Sequence, residues 1–266
     1  MKSERGSESG GSLISVTMIV RDASRYLAES LRALECFDEV IVLDNGSKDE
    51  TIDIARSFSN VKVYESPFIG FGPLKNLAAS YAQNDWILSA DSDEIFTAEL
   101  VNEILSLDLN PGRVYAIVRD NYYKQKLIRC CGWENDRVDR LYHREEVHFN
   151  DNQVHESLVF SEGIKRETLQ HRFRHYTYDS AEELIAKMQV YTTLWAKDFA
   201  GKKSASPGKA MLRSLFAFVK FYFFKKGFLN GYEGLLISVT NANNVFYKYI
   251  KLYEMNRKKD QNEDTH

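Results

Sequence analysis

Short apolar runs alternate with amphipathic stretches along the first third of the chain. Strands are predicted where apolar residues follow one another, and helices where they recur at i, i+3 and i+4. This alternation predicts a parallel sheet with helices on both faces, an α/β fold. The predicted strands are Leu13–Val20, Glu39–Leu43, Val61–Glu65 and Trp86–Ala90, and the predicted helices are Ala23–Glu35, Glu50–Phe58 and one that contains Lys75 and Asn76.

The pattern changes in the second half of the chain. Further strands are predicted first, and an all-helical region follows from Ala181. The predicted organisation is a disordered leader at 1–12, an α/β domain at 13–178, a helical extension at 179–258 and a tail at 259–266. The later predicted elements are strands Val114–Tyr123, Arg137–His143, Gln153–Phe160 and Leu169–His175, and helices Ala181–Phe199, Pro207–Lys226 and Gly231–Met255.

The composition limits the classes of binding partner and the cellular location, and it adds little about the fold. The 266 residues carry a formal net charge of −3, so no global basicity predicts binding to nucleic acid. No stretch approaches the ~20 uninterrupted apolar residues of a membrane-spanning helix, so we expect a soluble or membrane-surface protein. Three cysteines do not make a disulfide framework, and their odd number favours a reducing, cytoplasmic location.

Two carboxylates directly follow the fourth predicted strand. Asp91 and Asp93 stand two residues apart at the edge where open α/β sheets bind ligands. Two carboxylates in one tight turn repel each other, and a hard divalent cation that also holds a diphosphate would relieve this repulsion. The alternative is an acidic helix start, in which Glu94 opens the helix that follows.

Other polar residues are predicted at the same edge. Asp44 ends the second strand and could accept hydrogen bonds from a nucleoside, although Asp44–Ser47 would also form a turn without a ligand. Lys75 follows the glycine-rich stretch Phe68–Pro73 and could balance phosphate charge; the alternative is an ordinary loop before a helix. No glycine fingerprint of a dinucleotide-binding fold follows the first strand.

Seven segments carry a resemblance to known proteins through their order and spacing: Leu13–Val16, Val40–Asp49, Gly70–Asn76, Asp91–Asp93, Arg140–Tyr142, Val154–Glu156 and Lys226–Gly231. From Leu13 to about His175 the chain resembles the nucleotide-sugar glycosyltransferases of family 2, which have the GT-A fold. That fold is a mixed, mostly parallel sheet flanked by helices, here with a C-terminal helical extension. A narrower resemblance, to the bacterial lipopolysaccharide core β-glucosyltransferases, covers most of the chain.

The resemblance implies a role for each candidate. Asp93 would contact Mn²⁺ or Mg²⁺ directly, with Asp91 at the metal or at the ribose and His155 as a further ligand. The donor would be a UDP-hexose such as UDP-glucose, and the acceptor a lipid-linked glycan such as the lipopolysaccharide inner core. The residues expected to bind the donor are Val20, Asp44, Lys75, Asp91, Arg137 and Arg140.

Glu156 is the candidate general base. An inverting transfer needs a carboxylate to take the proton from the acceptor hydroxyl as it attacks the anomeric carbon. Neighbouring residues on a strand point to opposite faces, so His155 and Glu156 are not expected to share one role. The alternative for both is an exposed residue on an edge strand. His175 is a further candidate for binding a metal or phosphate, with a packed histidine as the alternative.

The helix predicted at Pro207–Lys226 is basic and broadly apolar. Between Lys202 and Lys226 there are seven Lys or Arg and no Asp or Glu. At ~100° per residue, one stripe would hold Lys209, Arg213 and Lys220 beside an apolar face. Such a helix suits peripheral contact with an anionic membrane, here the inner face of the cytoplasmic membrane; packing within the protein or in a homodimer is the alternative.

The leading interpretation is therefore an inverting, metal-dependent hexosyltransferase. A phosphoryl hydrolase is disfavoured because its Asp pair would usually follow the first strand. A sugar-binding or scaffold protein with an inactive glycosyltransferase fold stays open, as does a transferase that acts on a polyprenyl phosphate or a protein.

Overall fold

The computed structural model describes residues 14–151 and 156–263, with side chains described as far as residue 258. The predicted leader at 1–12, His155 and the start of the predicted strand Gln153–Phe160 lie outside the described residues. The chain divides into two compact units. The first unit runs to Arg119 and resumes over Arg137–His175, and the second contains Asp120–Asp136 and the chain from Tyr176 onward.

The strands of the first half form where the apolar runs predicted them. Strand β1 is buried along almost its whole length, as parallel strands covered on both faces are. These strands are β1 (Ile14–Val20), β2 (Val40–Asp44), β3 (Val61–Glu65) and β4 (Trp86–Asp91), and the short β5 (Glu94–Phe96), which the sequence did not predict, comes after them. Those that follow are β6 (Arg113–Tyr123), β7 (Lys126–Leu127), β8 (Asp136–His143), β9 (Val147–Phe149), β10 (Leu158–Phe160) and β11 (Lys165–Tyr178).

Seven α-helices occur among the described residues. Several start at a polar cap: Ser180 and Ser206 accept hydrogen bonds from the N–H groups of Glu183 and Lys209. The helices are α1 (Ser24–Ala33), α2 (Thr51–Arg56), α3 (Phe71–Ser80), α4 (Ala98–Leu105), α5 (Ala181–Phe199), α6 (Pro207–Val219) and α7 (Gly231–Glu263). A π-helical turn (Lys220–Phe224) and a 3₁₀ turn (Gly227–Asn230) connect α6 to α7, where the sequence predicted one helix to Lys226.

The sheet brings the carboxyl ends of β2, β1 and β4 to one edge. Within the described residues nine strands join in the order β3-β2-β1-β4-β8-β6-β11-β5, with β7 beside β6. Strands β3, β2, β1 and β4 are parallel neighbours. Val20 is opposite Asp44, and Ile19 is opposite Asp91. The two aspartates therefore stand at the same edge with one strand between them, as the sequence predicted.

The region after Asp91 corrects one expectation. The sequence allowed Glu94 to open a helix, but Glu94 begins β5, and α4 is capped by Thr97, whose hydroxyl accepts the Leu100 N–H. The apolar residues Ile95 and Phe96 enter the core, so burial outweighs the helix-start signal of the acidic residues. Strand β5 pairs antiparallel with β11, opposite Phe173–His175.

The second unit contains a close crossing of two glycines. A Cβ placed on Gly234 would lie 1.9 Å from the carbonyl oxygen of Gly227. The start of α7 and the 3₁₀ turn are thereby in backbone contact. Among the described residues no helix combines the length and hydrophobicity needed to cross a membrane.

Replacing Gly234 by Ala is expected to lower the free energy of unfolding by about 1–3 kcal/mol, because the added methyl must displace backbone. Gly208→Ala on α6 is the matched control, since a Cβ there meets nothing within 4 Å. It should leave stability unchanged or raise it by about 0.5–1 kcal/mol. Urea unfolding followed by circular dichroism compares the two variants, and equal midpoints would contradict a tight backbone contact at Gly234.

Candidate active site

Asp91 is held between two cations that come from different elements. Its Oδ1 lies 3.1 Å from Lys75 Nζ on α3, and its Oδ2 lies 2.6 Å from Arg140 Nη2 on β8. Strand β8 runs antiparallel to β4, with Leu141 opposite Leu88, which brings the preceding Arg140 toward the carboxyl end of β4. Both cationic side chains are almost fully buried, whereas the Asp91 side chain is one-third exposed, so the pairing lies where the interior meets the surface.

The start of α3 explains how Lys75 reaches this position. Gly70 adopts a φ of 108°, in the region that favours glycine, and its carbonyl accepts the Leu74 N–H at 3.0 Å. Asn76, next to Lys75, makes two hydrogen bonds of 2.8 Å to the backbone of Phe149. The Phe149 ring in turn lies 5.2 Å from Lys75 Nζ. The loop predicted before Lys75 therefore serves to place a buried cation.

Arg140 has a second partner, which the sequence did not reveal. Its guanidinium also bonds to the carboxylate of Glu94, a side chain with no exposed surface. The other Glu94 oxygen accepts the Asp91 backbone N–H at 3.1 Å. Glu94 thus ties the turn Asp91–Asp93 to β8. The signal for this role was the position of Glu94 before two apolar residues, which is typical of a buried strand.

Burial and neighbouring charges shift the pKa values of Asp91, Glu94 and Arg140 in opposite directions. Burial would raise the pKa of Asp91, but the charges of Arg140 and Lys75 outweigh it and hold that pKa well below its usual range. Burial raises the pKa of Glu94 despite the opposing guanidinium of Arg140. Burial also disfavours the charge of Arg140, yet Asp91 and Glu94 hold its pKa above the ordinary value. Asp91 is therefore an ionised carboxylate in the folded protein.

Arg140→Leu is expected to cost about 3–5 kcal/mol of stability, because it leaves the Glu94 and Asp91 carboxylates without their shared partner. Arg137→Leu, on the same strand, is the matched control: Arg137 is exposed, and its loss should change stability by no more than about 0.5 kcal/mol. Chemical unfolding of the two variants measures the difference in stability. Similar midpoints would show that the ion pairs of Arg140 with Asp91 and Glu94 do not stabilise the fold.

Asp93 lies beside a histidine from β11. Its Oδ2 is 3.5 Å from His175 Nε2, because His175 stands opposite Glu94 in the β5–β11 ladder. Asp93 is one-third exposed, whereas His175 is largely buried. Among the described residues, no group of three or more His, Cys, Asp or Glu side chains forms a ready metal site. Asp93 and His175 are therefore a pair of candidate ligands that the described residues bring together here.

Glu156 reaches the same cluster. Its Oε1 lies 3.5 Å from Lys75 Nζ, so Lys75 bridges Glu156 and Asp91. The Glu156 side chain is about one-quarter exposed. The described chain resumes at Glu156, and the candidate ligand His155 lies outside it. Three candidates that the sequence placed in separate segments, namely Lys75, Asp91 and Glu156, are thus in contact.

Asp44 forms the turn that the sequence allowed as the alternative to nucleoside binding. Its carboxylate accepts hydrogen bonds from the N–H groups of Gly46 and Ser47 and from the Ser47 hydroxyl. The residue is nearly inaccessible to solvent. Val20 is a core side chain whose carbonyl accepts the Asn45 N–H at 3.0 Å. Both residues shape the turn at the carboxyl end of β2. Arg137 is exposed, and its contact with the donor stays a prediction.

The turn after β1 is fastened to the turn after β2. Asp22 has a φ of 48°, and its N–H donates to the Ser47 hydroxyl at 2.9 Å. Its carboxylate accepts the Lys48 N–H at 2.8 Å. The two loops therefore form one hydrogen-bonded rim beside the crevice of the sheet, where open α/β proteins bind ligands.

The mixed sheet, its flanking helices and the C-terminal helices confirm the predicted GT-A fold, the fold of enzymes that bind nucleotide sugars. Comparisons with known proteins agree with this class. The family described as Glycosyl transferase family 2 matches residues 15–173. Because that match spans more than half of the chain, the protein belongs to glycosyltransferase family 2 and is a glycosyltransferase.

The individual relatives that follow have low sequence identity to this chain. An uncharacterized glycosyltransferase of Rickettsia prowazekii (strain Madrid E) is 29% identical over 263 residues, which cover 92% of this chain and 88% of the relative. The SPbeta prophage-derived glycosyltransferase SunS of Bacillus subtilis (strain 168) is 33% identical over 109 residues, 40% of this chain and 24% of SunS. The solved structure of S. aureus TarS 1–349 aligns with 94% of this chain and 91% of its own, at 14% identity and a TM-score of 0.44.

Proposed function

We propose that this glycosyltransferase is a metal-dependent, inverting enzyme that moves a hexose, glucose in the first instance, from a UDP-sugar to a lipid-linked glycan. One observation carries the proposal. At the carboxyl end of β4, Glu156 shares the cation Lys75 with Asp91, and two residues beyond Asp91 the carboxylate of Asp93 lies beside His175. Such a site offers ligands for a cation and a carboxylate that can accept a proton, all within the first unit.

The donor set at Asp93 fits a hard divalent cation. Mn²⁺ and Mg²⁺ favour carboxylate oxygen, and imidazole nitrogen is acceptable to Mn²⁺. Asp93 and His175 would hold the ion, and the remaining positions would be left to diphosphate oxygens and water. When bound, the ion offsets charge on the departing nucleoside diphosphate. Asp91 was expected at the metal too, but both of its oxygens are engaged by Lys75 and Arg140, so we assign it to anchoring Lys75.

The donor nucleoside is proposed to lie against the rim made by Asp22 and Ser47. Asp44 supports this turn through its own hydrogen bonds and therefore acts by shaping the rim. The buried ammonium of Lys75 supplies positive charge near the diphosphate. Choice of UDP over other nucleotides rests on the resemblance of Val40–Asp49 to nucleotide-sugar transferases.

Glu156 is proposed to be the general base. Its carboxylate would accept the proton of the acceptor hydroxyl while that oxygen attacks the anomeric carbon from the face opposite the diphosphate. The bond to the diphosphate breaks as the new glycosidic bond forms, so the configuration inverts. Lys75, 3.5 Å from Glu156 Oε1, orients the carboxylate. Lys75 is thus a positioning residue that links the base to Asp91.

The acceptor is proposed from the narrower resemblance, which is carried by Gly70–Asn76, Arg140–Tyr142, Val154–Glu156 and Lys226–Gly231. It is a sugar of a membrane-anchored glycan such as the lipopolysaccharide inner core, reached from the cytoplasmic face. A polyprenyl phosphate or a protein acceptor would give the same donor chemistry. An inactive sugar-binding protein would bind the donor without turnover.

A thermal-shift screen of UDP-, GDP- and dTDP-sugars with Mn²⁺ tests the donor assignment. A ligand at ~100 times its dissociation constant stabilises the folded state by about 2.7 kcal/mol, which raises Tm by several degrees. We expect this shift for UDP-glucose with Mn²⁺ and its loss with EDTA. A larger shift with a GDP- or dTDP-sugar, or a shift independent of Mn²⁺, would contradict the proposal.

A further inference from the structure

The second unit exposes a continuous series of large apolar side chains on α6 and on the turns that follow it. The most exposed are Phe224 at 76%, Leu212 at 70%, Phe216 at 68% and Leu229 at 65%. Leu215 and Phe223 are also more than half exposed. We call these six residues the exposed apolar surface. Side chains of this size are seldom left in water together unless they contact a partner.

The surface is not the face by which α6 packs within its own unit. That packing face is made of small residues: Ala210 and Ala217 are buried, and the Ser214 hydroxyl donates to the Ala242 carbonyl at 2.8 Å. The larger residues Leu212, Leu215 and Phe216 occupy the opposite side of the helix. Helix α6 therefore packs within its unit through small residues, and its large apolar residues are exposed to solvent.

The turns after α6 are fixed in a way that keeps the surface outside. Gly227 is buried, and a Cβ on it would lie 2.6 Å from Ser238 Oγ. Gly227 and Gly234 cross in backbone contact, and the Cys131 N–H donates to the Lys225 carbonyl at 2.9 Å. This anchoring holds Phe223, Phe224 and Leu229 on a rigid turn instead of allowing them to fold against α7.

The chain segment that carries this surface is basic. Residues 199–232 contain seven Lys or Arg and no Asp or Glu, and Glu134 from an earlier segment lies 3.9 Å from Lys225 Nζ. Two of the residues predicted on the basic stripe also contact α7: Arg213, which is exposed, and Lys209 lie 5.0 and 5.8 Å from the Tyr249 ring. Lys220, Lys225 and Lys226 are exposed at the end of the same segment.

We propose that the exposed apolar surface inserts into the interfacial layer of a bilayer that contains anionic lipids, with Lys220, Lys225 and Lys226 at the headgroups. Apolar side chains beside basic ones, with no acidic residue among them, match an anionic lipid surface. A second copy of the chain is a poorer match. A two-fold contact would place the same basic residues near one another without an acidic partner from this segment.

Vesicle sedimentation tests the proposal with the full chain and without any sugar donor, so its outcome is independent of the proposed transferase reaction. Wild-type protein should sediment with vesicles of phosphatidylcholine and phosphatidylglycerol, less with phosphatidylcholine alone, and less in high salt. Lys220→Gln, Lys225→Gln and Lys226→Gln together should weaken binding to anionic vesicles by about 100-fold, at roughly fivefold per lysine. Leu212→Gln, Phe216→Gln and Phe224→Gln together should weaken it on both vesicles, by at least ~100-fold on anionic ones.

The matched control changes the same kind of residue outside the surface. Ile185 and Val190 on α5 are 49% and 56% exposed, and Ile185→Gln with Val190→Gln should bind vesicles as wild type does. Circular dichroism checks that each variant is folded, and the lysine variant keeps the test valid if the apolar variant does not fold. Wild-type protein that stays in the supernatant would overturn the proposal. So would a surface variant that binds normally, or an apolar variant that only converts a dimer to a monomer.

Discussion

Glu156→Gln is expected to lower turnover by about 10²–10⁴-fold and to leave the affinity for the sugar donor nearly unchanged. Glutamine keeps the shape of the side chain and a hydrogen-bond acceptor for Lys75, but it cannot take a proton from the acceptor. The loss should therefore appear in kcat and not in donor binding. Kinetics of UDP release, together with titration of UDP in the presence of Mn²⁺, separate the two quantities.

Glu162→Gln is the matched control, because Glu162 is exposed in the turn after β10 and should tolerate the change with normal turnover. Near-normal turnover of Glu156→Gln would remove Glu156 from the role of base, and Asp151 would then be tested in the same way. A parallel fall in donor affinity would indicate that Glu156 contributes to binding through Lys75.

Asp93→Asn is expected to abolish Mn²⁺-dependent binding of UDP while the protein stays folded. Loss of groups that only orient metal ligands costs 10–100-fold in metal affinity, so loss of a ligand should cost at least ~100-fold. The fold should survive because Asp93 is one-third exposed and stands outside the buried Arg140–Glu94 pair. Isothermal titration of UDP with Mn²⁺ and with EDTA measures the effect without any need for an acceptor.

Asp38→Asn supplies the control for this measurement, since Asp38 is exposed before β2 and should bind UDP normally. His175→Asn should weaken the same Mn²⁺-dependent binding if the imidazole is the second ligand. Unchanged affinity in Asp93→Asn would show that the cation is held elsewhere or is not required.

The parallel half of the fold could be predicted because burial on both faces leaves a direct trace in the sequence. Strands such as Val40–Asp44 are continuous apolar runs, and each ends at a turn signal. The edge that gathers Asp44 and Asp91 follows from parallel register alone. The short strands β5 and β9 carry no such trace, since three residues are too few to show a period. They were found only through their pairing with β11 and β10.

The sequence predicted which residues belong to the candidate site better than it predicted which of them contact one another. Sequence reasoning selected Lys75, Asp91 and Arg140 singly, and the structure joins them because α3 and β8 converge on the end of β4. Glu94 could not be assigned, because its acidic character resembles a helix start until its burial against Arg140 is seen. His175 gains its place beside Asp93 from antiparallel register, which a single sequence does not specify.

Helix α6 shows a different limit of prediction from sequence. Helical periodicity correctly separated basic and apolar positions on α6, but periodicity does not say which face the rest of the protein covers. The contact of Ala210, Ser214 and Ala217 with neighbouring residues, and the approach of Arg213 to Tyr249, decide this. The apolar face that would ordinarily be assigned to the core is consequently the exposed one.

NMR of donor hydrolysis tests inverting transfer from a UDP-sugar at the Asp93–Glu156 site. The reaction contains UDP-α-glucose, Mn²⁺ and the enzyme, and it needs no acceptor because water can replace the acceptor hydroxyl. We expect that β-glucose appears before α-glucose, that EDTA stops its formation, and that Glu156→Gln slows it by about 10²–10⁴-fold. Initial release of α-glucose, or release at the same rate with EDTA, would contradict it.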